Sequence, residues 1–494
     1  MGVVSKTSIK FSIILYIGIA LGYVNTVLIF PNVLGDEVFG LTRILFTAAG
    51  LIAQLSQLGT GNILVRFHPY LKDDQKNTTL TLGLLLSFAG GLISAICLFV
   101  FKEQINAVYS EKAKLFTDYY YLLLPAVISL IAFNLFDAYL RVLIKNSFTA
   151  FLNSILLRLI WLGIVLLYAF DFYDTNTFIN VYVGGQIFVS SLAFLYTLKQ
   201  GKLNLGLQLN SEKIKTFKSM SRFGIVTILS GLSFFLINQV DILMVGSYIG
   251  LTDVAIYSIA LYMSSVILVP AQSISRTTAV LMADAFKNDN HEMIHTLYKK
   301  TALNQMLFGS LIFMLIAINY ESLMSFLRET YADSFMVFFL LGLAKIVDTA
   351  FGINGAVLIS SKYYRVDTYL SIILLILSLI LKVIMIPRFG IIGAAGSTAL
   401  ALVLFNLAKY SFLKVKLNIS PFTKDYFLLC IILVISFIIV FFIPQIVNIW
   451  IDMFAKSALF CLITIPVVYV LKFSPEFNDI IDKALEMSRQ VINR

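Results

Sequence analysis

Fourteen apolar runs, each long enough to cross a bilayer and joined by very short polar connections, constrain this chain more than any other feature. A membrane-spanning helix needs about 20 mostly apolar residues to cross the hydrocarbon layer. The runs predict spans at 8–30, 41–66, 78–101, 117–139, 149–171, 177–198, 222–248, 254–282, 300–320, 332–358, 365–386, 390–412, 426–449 and 453–472. A backbone crossing hydrocarbon must satisfy its own hydrogen bonds, so an all-α integral membrane protein follows. Only 13% of the residues are charged, about half the usual share of a soluble domain. The substrate of such a chain lies in, or crosses, the membrane.

The formal charge of +10 would suggest nucleic acid in a soluble protein. Here it reads as loop lysines and arginines facing an anionic cytoplasmic leaflet. Placing the N-terminus inside gathers most of the 37 basic residues on the cytoplasmic side, which predicts two cytoplasmic termini and an even span count. Lys6 and Lys10 precede a first run too long for a cleavable signal. Cys97, Cys430 and Cys461 all fall inside apolar runs, in a spacing that fits neither a metal site nor a disulfide framework.

The long polar stretch Lys199 to Arg222 divides the chain. The expected organisation is a six-helix lobe (1–198), a cytoplasmic linker (199–221), a second six-helix lobe (222–412), a terminal helix pair (413–472) and a cytoplasmic amphipathic tail (473–494). Asn25 to Leu41 and Gln239 to Tyr257 echo one another, each an apolar run with Gly and an acid opening a second long span. Transporters are often built from such repeats, with the site near the midplane at their interface. In the tail, Ser474 is placed to cap a helix and Pro475 to occupy its first position. Ile480, Ile481, Ala484, Leu485, Met487 and Val491 then form an apolar stripe suited to the membrane surface.

One motif belongs to enzymes: His291-Glu292-Met293-Ile294-His295 matches H-E-x-x-H, the spacing that puts two zinc ligands on one helix face. It lies in a polar loop beside Lys287, Asn288, Asp289 and Asn290, and His68 is the sole remaining histidine. A solvated helix start is the better reading, and no metal or cofactor is expected. No phosphate-cradling glycine motif occurs, so the chain itself is not expected to use ATP.

Charges inside spans are costly and mark cavities or partners. Asp137 with Arg141, and Lys345 with Asp348, are spaced to neutralise each other along a helix face. Arg158, Asp241 and Arg276 have no such neighbour. Arg276 sits on a polar stripe with Gln272, Ser273, Ser275, Thr277 and Thr278, and Arg66 follows Gln54, Gln57, Thr60 and Asn62 at the corresponding end of the second span. The planar fork of arginine suits phosphate, so Arg276, Arg158, Arg66 and Gln272 are the candidate substrate contacts.

Three stretches carry a family likeness: FGLTRILFTAAGLIAQLSQLGTGNILVRF (39–67), NQVDILMVGSYIGLTDVAIYSIA (238–260) and RFGIIGAAGSTALALVLFNLAKY (388–410). With a 6 + 6 + 2 helix pattern, the chain resembles the polysaccharide flippases of the multidrug/oligosaccharidyl-lipid/polysaccharide (MOP) exporter superfamily. The resemblance implies two six-helix lobes around a cavity and alternating access, with the role of cavity arginines on an anionic lipid falling on Arg66, Arg158 and Arg276 and Asp241 as the candidate ion-coupling carboxylate. It implies movement of a polyprenyl-diphosphate-linked oligosaccharide from the cytoplasmic to the outer leaflet of a bacterial inner membrane, for a cell-surface polysaccharide such as O-antigen. Membrane lipids and polysaccharide assembly enzymes would be partners. A drug/cation antiporter of the same superfamily would need an acidic cavity and usually stops at twelve helices. A membrane glycosyltransferase or polymerase would need a larger outer loop than Lys102 to Phe116.

Overall fold

The protein is described by a computed structural model over residues 2–68, 76–200, 220, 223–224, 227, 235–237 and 239–492, with side chains for 13–68, 80–200, 220, 223–224, 227, 235–237, 239–483 and 485–487. Most of the expected linker, and part of the expected seventh span, lie outside the described residues. Every regular element among the described residues is helical. Eleven helices are long and apolar enough to cross a membrane, and twelve if one bent pair is a single span. The chain divides into two compact units, Met1–Ser258 and Ile259–Arg494.

In the first unit the principal helices are α1 (Ile13–Val33), α2 (Asp36–Ser56), α3 (Thr60–Phe67), α4 (Leu80–Val100), α5 (Lys102–Tyr109), α6 (Tyr120–Val142), α7 (Asn146–Ala169) and α8 (Thr175–Lys199). Small residues set how closely they pack. A Cβ at Gly90 would lie 1.7 Å from the Ser56 carbonyl oxygen, so α4 rests directly on the α2 backbone. Ser56 and Ser94 hydrogen-bond at the same crossing. The expected continuous span at 41–66 is instead broken. Leu58 and Gly59 have positive φ (49° and 73°), and the chain restarts as α3.

In the second unit the chain runs through α9 (Leu251–Ser265, which begins in the first unit), α10 (Leu268–Lys287), α11 (His291–Ile318), α12 (Phe335–Ala350), α13 (Asn354–Ser360), α14 (Tyr364–Leu417), α15 (Lys424–Phe441), α16 (Ile449–Val470) and α17 (Pro475–Ile492). α9 and α10 are bent by 47°, just before Pro270. The expected span at 332–358 breaks at Phe351–Ile353, where Gly352 has φ 61°. The 54-residue α14 is two arms: Gly390 is non-helical (φ 58°, ψ −141°) after Pro387. A Cβ at Gly393 would sit 2.2 Å from the Met385 carbonyl oxygen, which requires the chain to double back there. Glycine alone reaches such backbone angles without a steric penalty.

The packing is that of a protein in hydrocarbon. On α16, Trp450, Phe454, Leu462 and Val470 are about 70–78% exposed, while Asp452, Lys456 and Thr464 are buried on the other face. The tail helix α17 is held to α11 and α16. Ser474 accepts from the Phe477 N–H at 3.0 Å, the expected cap. Its hydroxyl also donates to Asn304 Oδ1 at 2.5 Å, and Asn304 Nδ2 donates to Glu476 Oε2 at 3.1 Å. Ile480, Leu485 and Met487 remain exposed along the helix.

Candidate functional site

Each unit offers its own polar constellation. In the first, two helices carry a local π-turn, where the amide bonds five residues back instead of four. In α1 the Phe30 N–H bonds the Asn25 carbonyl, and in α7 the Leu157 N–H bonds the Leu152 carbonyl. Such turns bulge the backbone, free polar groups and occur often at functional sites. The α7 π-turn packs closely on α1 ahead of that helix's own π-turn: a Cβ at Gly18 would lie 2.6 Å from Ser154 Cβ. Asn25, only 3% exposed, donates from Nδ2 to the Arg158 carbonyl at 2.7 Å. Asn25 Oδ1 and Arg158 Nη1 are both buried with no hydrogen-bond partner among the described residues. One turn beyond Arg158, Trp161 stacks on Tyr182 of α8 (centroids 4.7 Å apart, planes at 13°) and donates from Nε1 to the Tyr182 carbonyl at 3.0 Å. Phe46 of α2 meets both rings edge-on, at 5.2 and 5.7 Å.

Arg66 occupies the last turn of α3 and is exposed. Its guanidinium lies 4.3 Å from the centroid of the Phe223 ring and 5.8 Å from that of Phe67. The break before α3 fixes this platform. A Cβ at Gly59 would come within 2.3 Å of the Gly224 carbonyl oxygen, and one at Gly224 within 2.6 Å of the Leu58 carbonyl oxygen. Gly224 is the residue after Phe223, so the break and the aromatic platform form one contact. Asp241 is 1% exposed and accepts from the Tyr257 hydroxyl at 2.5 Å.

In the second unit, Gln272 and Arg276 lie four residues apart on α10 and are both exposed. They therefore share one helix face. The neighbouring Ser275 turns inward and accepts from Gln305 Nε2 of α11 at 2.9 Å. The His291 motif opens α11, where Asn290 accepts from the Met293 N–H at 3.0 Å. His291 and Glu292 are exposed, while Ile294 and Tyr298 form the buried face.

Of the two expected helix-face pairs, Asp137 and Arg141 meet at 2.5 Å, with Thr149 donating to the other carboxylate oxygen at 2.5 Å. Asp348 is used across helices, accepting from Asn406 Nδ2 at 3.1 Å while Asn354 Nδ2 donates to Asn406 Oδ1 at 2.7 Å. Sequence reasoning missed three buried cations. Lys382 is fully buried and donates to Ser378 Oγ. Lys409 pairs with Asp367 at 2.6 Å, and Lys456 pairs with Asp452 at 3.2 Å. The i,i+4 spacing of Asp452 and Lys456 was a usable signal. Lys409 and Asp367 are 42 positions apart, and no local pattern links them.

Residues 6–281 match the family described as polysaccharide biosynthesis protein, and residues 227–384 match the MatE family. A curated relative from Haloferax volcanii, named as a probable low-salt glycan biosynthesis flippase (Agl15), is 22% identical over 400 residues, covering 80% of each chain. Among solved structures, the lipid II flippase MurJ in an inward closed conformation superposes with a TM-score of 0.75 at 14% identity, covering 94% of this chain and 99% of MurJ. An inward-facing multidrug resistance MATE family transporter of the MOP superfamily gives a TM-score of 0.61 at 17% identity, covering 83% and 98%. These two likenesses establish the fold.

Proposed function

Because the chain belongs to the polysaccharide biosynthesis protein family, we propose that it is a flippase that carries a polyprenyl-diphosphate-linked oligosaccharide across the bilayer by alternating access. The observation that carries this reading is Arg158, a cation at span depth whose buried Nη1 has no hydrogen-bond partner among the described residues. An unneutralised charge held in hydrocarbon is expensive, and a group that needs it repays that cost. The headgroup of a lipid-linked saccharide, with its hydroxyl and phosphate oxygens, supplies the missing acceptor. A drug/cation antiporter would want the opposite sign at this position.

On this reading Arg158, Arg66, Arg276 and Gln272 contact the headgroup, and Asp241 is the coupling carboxylate. The polyprenyl chain stays in the bilayer, so it contributes affinity but no direction. Direction comes from an ion gradient or from consumption of the product on the far side. The protein performs no bond chemistry. It lies in the plasma membrane with fourteen spans and both termini cytoplasmic, and it passes its cargo to polysaccharide assembly enzymes. The H-E-x-x-H segment is a helix start with no part in transport.

Binding in detergent tests the reading. Native mass spectrometry should show the lipid-linked saccharide bound to wild type. Each charge-assisted hydrogen bond is worth about 1.5–3 kcal/mol, so Arg158→Ala should weaken binding roughly tenfold to a hundredfold. Absence of binding by wild type, across saccharides of several types, would overturn it.

A further inference from the structure

We propose that the α1–α7 contact around Asn25 and Arg158 forms a saccharide subsite, in which Asn25 and Arg158 bind sugar hydroxyls and Trp161 packs against a sugar ring. The inference rests on the flippase reading and assigns its headgroup contacts more narrowly.

The argument starts from what is left unpaired. Asn25 spends its amide N–H on the Arg158 carbonyl, so its free atom, Oδ1, is an acceptor. Arg158 offers a free donor at Nη1. The two residues meet through that bond in the α1–α7 contact, and each helix carries a π-turn within a few residues of it. A phosphate carries only acceptors. It would satisfy Nη1 and oppose Asn25 Oδ1. A saccharide presents hydroxyls that both donate and accept, a few ångströms apart on a rigid ring, and satisfies both. Leaving either atom unpaired in a buried site costs about 1–3 kcal/mol, which is the driving force for occupation.

The third component is aromatic. Trp161 is one turn from Arg158, and its ring is locked by the stack on Tyr182, the hydrogen bond from Nε1 and the edge contact of Phe46. A fixed aromatic face beside a small set of directed polar groups is how binding sites take ligands with one apolar and one polar aspect. Sugar rings have that character. The phosphate role then falls to the two exposed arginines, Arg66 and Arg276.

Trp161 also supplies the assay, because the chain has two tryptophans and the other, Trp450, is exposed on α16. In a Trp450→Phe background, Trp161 fluorescence should be titrated with polyprenyl-diphosphate oligosaccharides bearing neutral or acidic sugars, and separately with sugar-free polyprenyl diphosphate. Native mass spectrometry on the same samples records binding independently. The expected result is a spectral change with the saccharides and none with the bare diphosphate lipid. Asn25→Leu should raise the saccharide concentration needed by tenfold or more while leaving the bare lipid within twofold. Asn25→Ser, which keeps a small polar group, should fall between and checks that the helix contact survives. Equal responses to both lipids, or saccharide binding that leaves Trp161 and Asn25→Leu unaffected, would overturn the subsite and leave the flippase reading intact. Such a result would mean ordered water satisfies the two atoms. No binding of either lipid would overturn both.

Discussion

Gly59→Ala is the most informative single substitution, because the break in the second span and the Arg66 platform both depend on that residue. Glycine 59 has φ 73° and lies against the Gly224 backbone, with a Cβ placed 2.3 Å from the carbonyl oxygen. The left-handed conformation costs an alanine about 1–2 kcal/mol. The clash adds about 1–3 kcal/mol, because the atom in the way is backbone and cannot rotate aside. Together these predict a loss of about 2–5 kcal/mol. The control is internal. Gly163 on α7 has nothing within 4 Å of its missing Cβ and ordinary helical angles. Gly163→Ala should therefore be neutral or up to about 1 kcal/mol more stable, from helix propensity alone. The assay is thermal unfolding of both variants in the same detergent. At about 2–4 °C per kcal/mol for a unit of this size, Gly59→Ala should melt roughly 4–20 °C lower. Any displacement of Gly224 moves Phe223, so headgroup binding at Arg66 should fall in the Gly59 variant at temperatures where it is still folded. A Gly59→Ala protein as stable as Gly163→Ala, with unchanged binding, would refute the assignment of the break.

Two further predictions address a buried ion pair and an exposed carboxylate at the start of the tail helix. Lys456→Met leaves Asp452 buried with only Ser322 (2.7 Å) and the Ile446 N–H (3.0 Å), and should cost about 3–5 kcal/mol in a denaturation series, while Asp452→Asn with Lys456→Met should recover most of it; a single variant as stable as wild type contradicts the pairing. For the tail, burial raises the Glu476 carboxyl pKa, but hydrogen bonds from Asn304, its own backbone and Ser474, together with the Lys300 charge, outweigh it and hold the value below the ordinary one. A depressed folded-state pKa contributes stability that is present above the unfolded value of about 4.3 and is lost as pH falls through the folded value. Protease cutting within α17 should therefore rise as pH drops below about 4.3, and Glu476→Gln should flatten that rise; cutting that is pH-independent in both proteins would rule it out.

The span pattern was legible because hydrocarbon demands long apolar runs, and the Ser474 cap because its signal is local. Asp137 and Arg141 were legible for the same reason. The breaks at Leu58–Gly59 and Phe351–Ile353 were not. Both fall in runs that read as continuous helix, and what makes them breaks is a close approach by residues far away in sequence, Gly224 for the first and Ala302 for the second. Asp241 stood out as an acid in an apolar run, but its partner Tyr257 lies 16 residues on and on another helix. Lys382 was missed because a lysine near the expected end of a span is ordinarily read as reaching for the surface. Its side chain is instead fully buried. Arg158 was singled out by charge and depth. Its local surroundings, a π-turn in each of α1 and α7 and the bond from Asn25, are features that hydrophobic periodicity does not encode.

The most direct test of the central claim is transport itself. Purified protein reconstituted in liposomes with a labelled polyprenyl-diphosphate oligosaccharide should expose that saccharide to an external sugar-modifying enzyme over time, faster than empty liposomes. Arg276→Ala should slow the exposure. Saccharide exposure no faster than in empty liposomes, with and without an ion gradient and with several saccharides, would contradict the account.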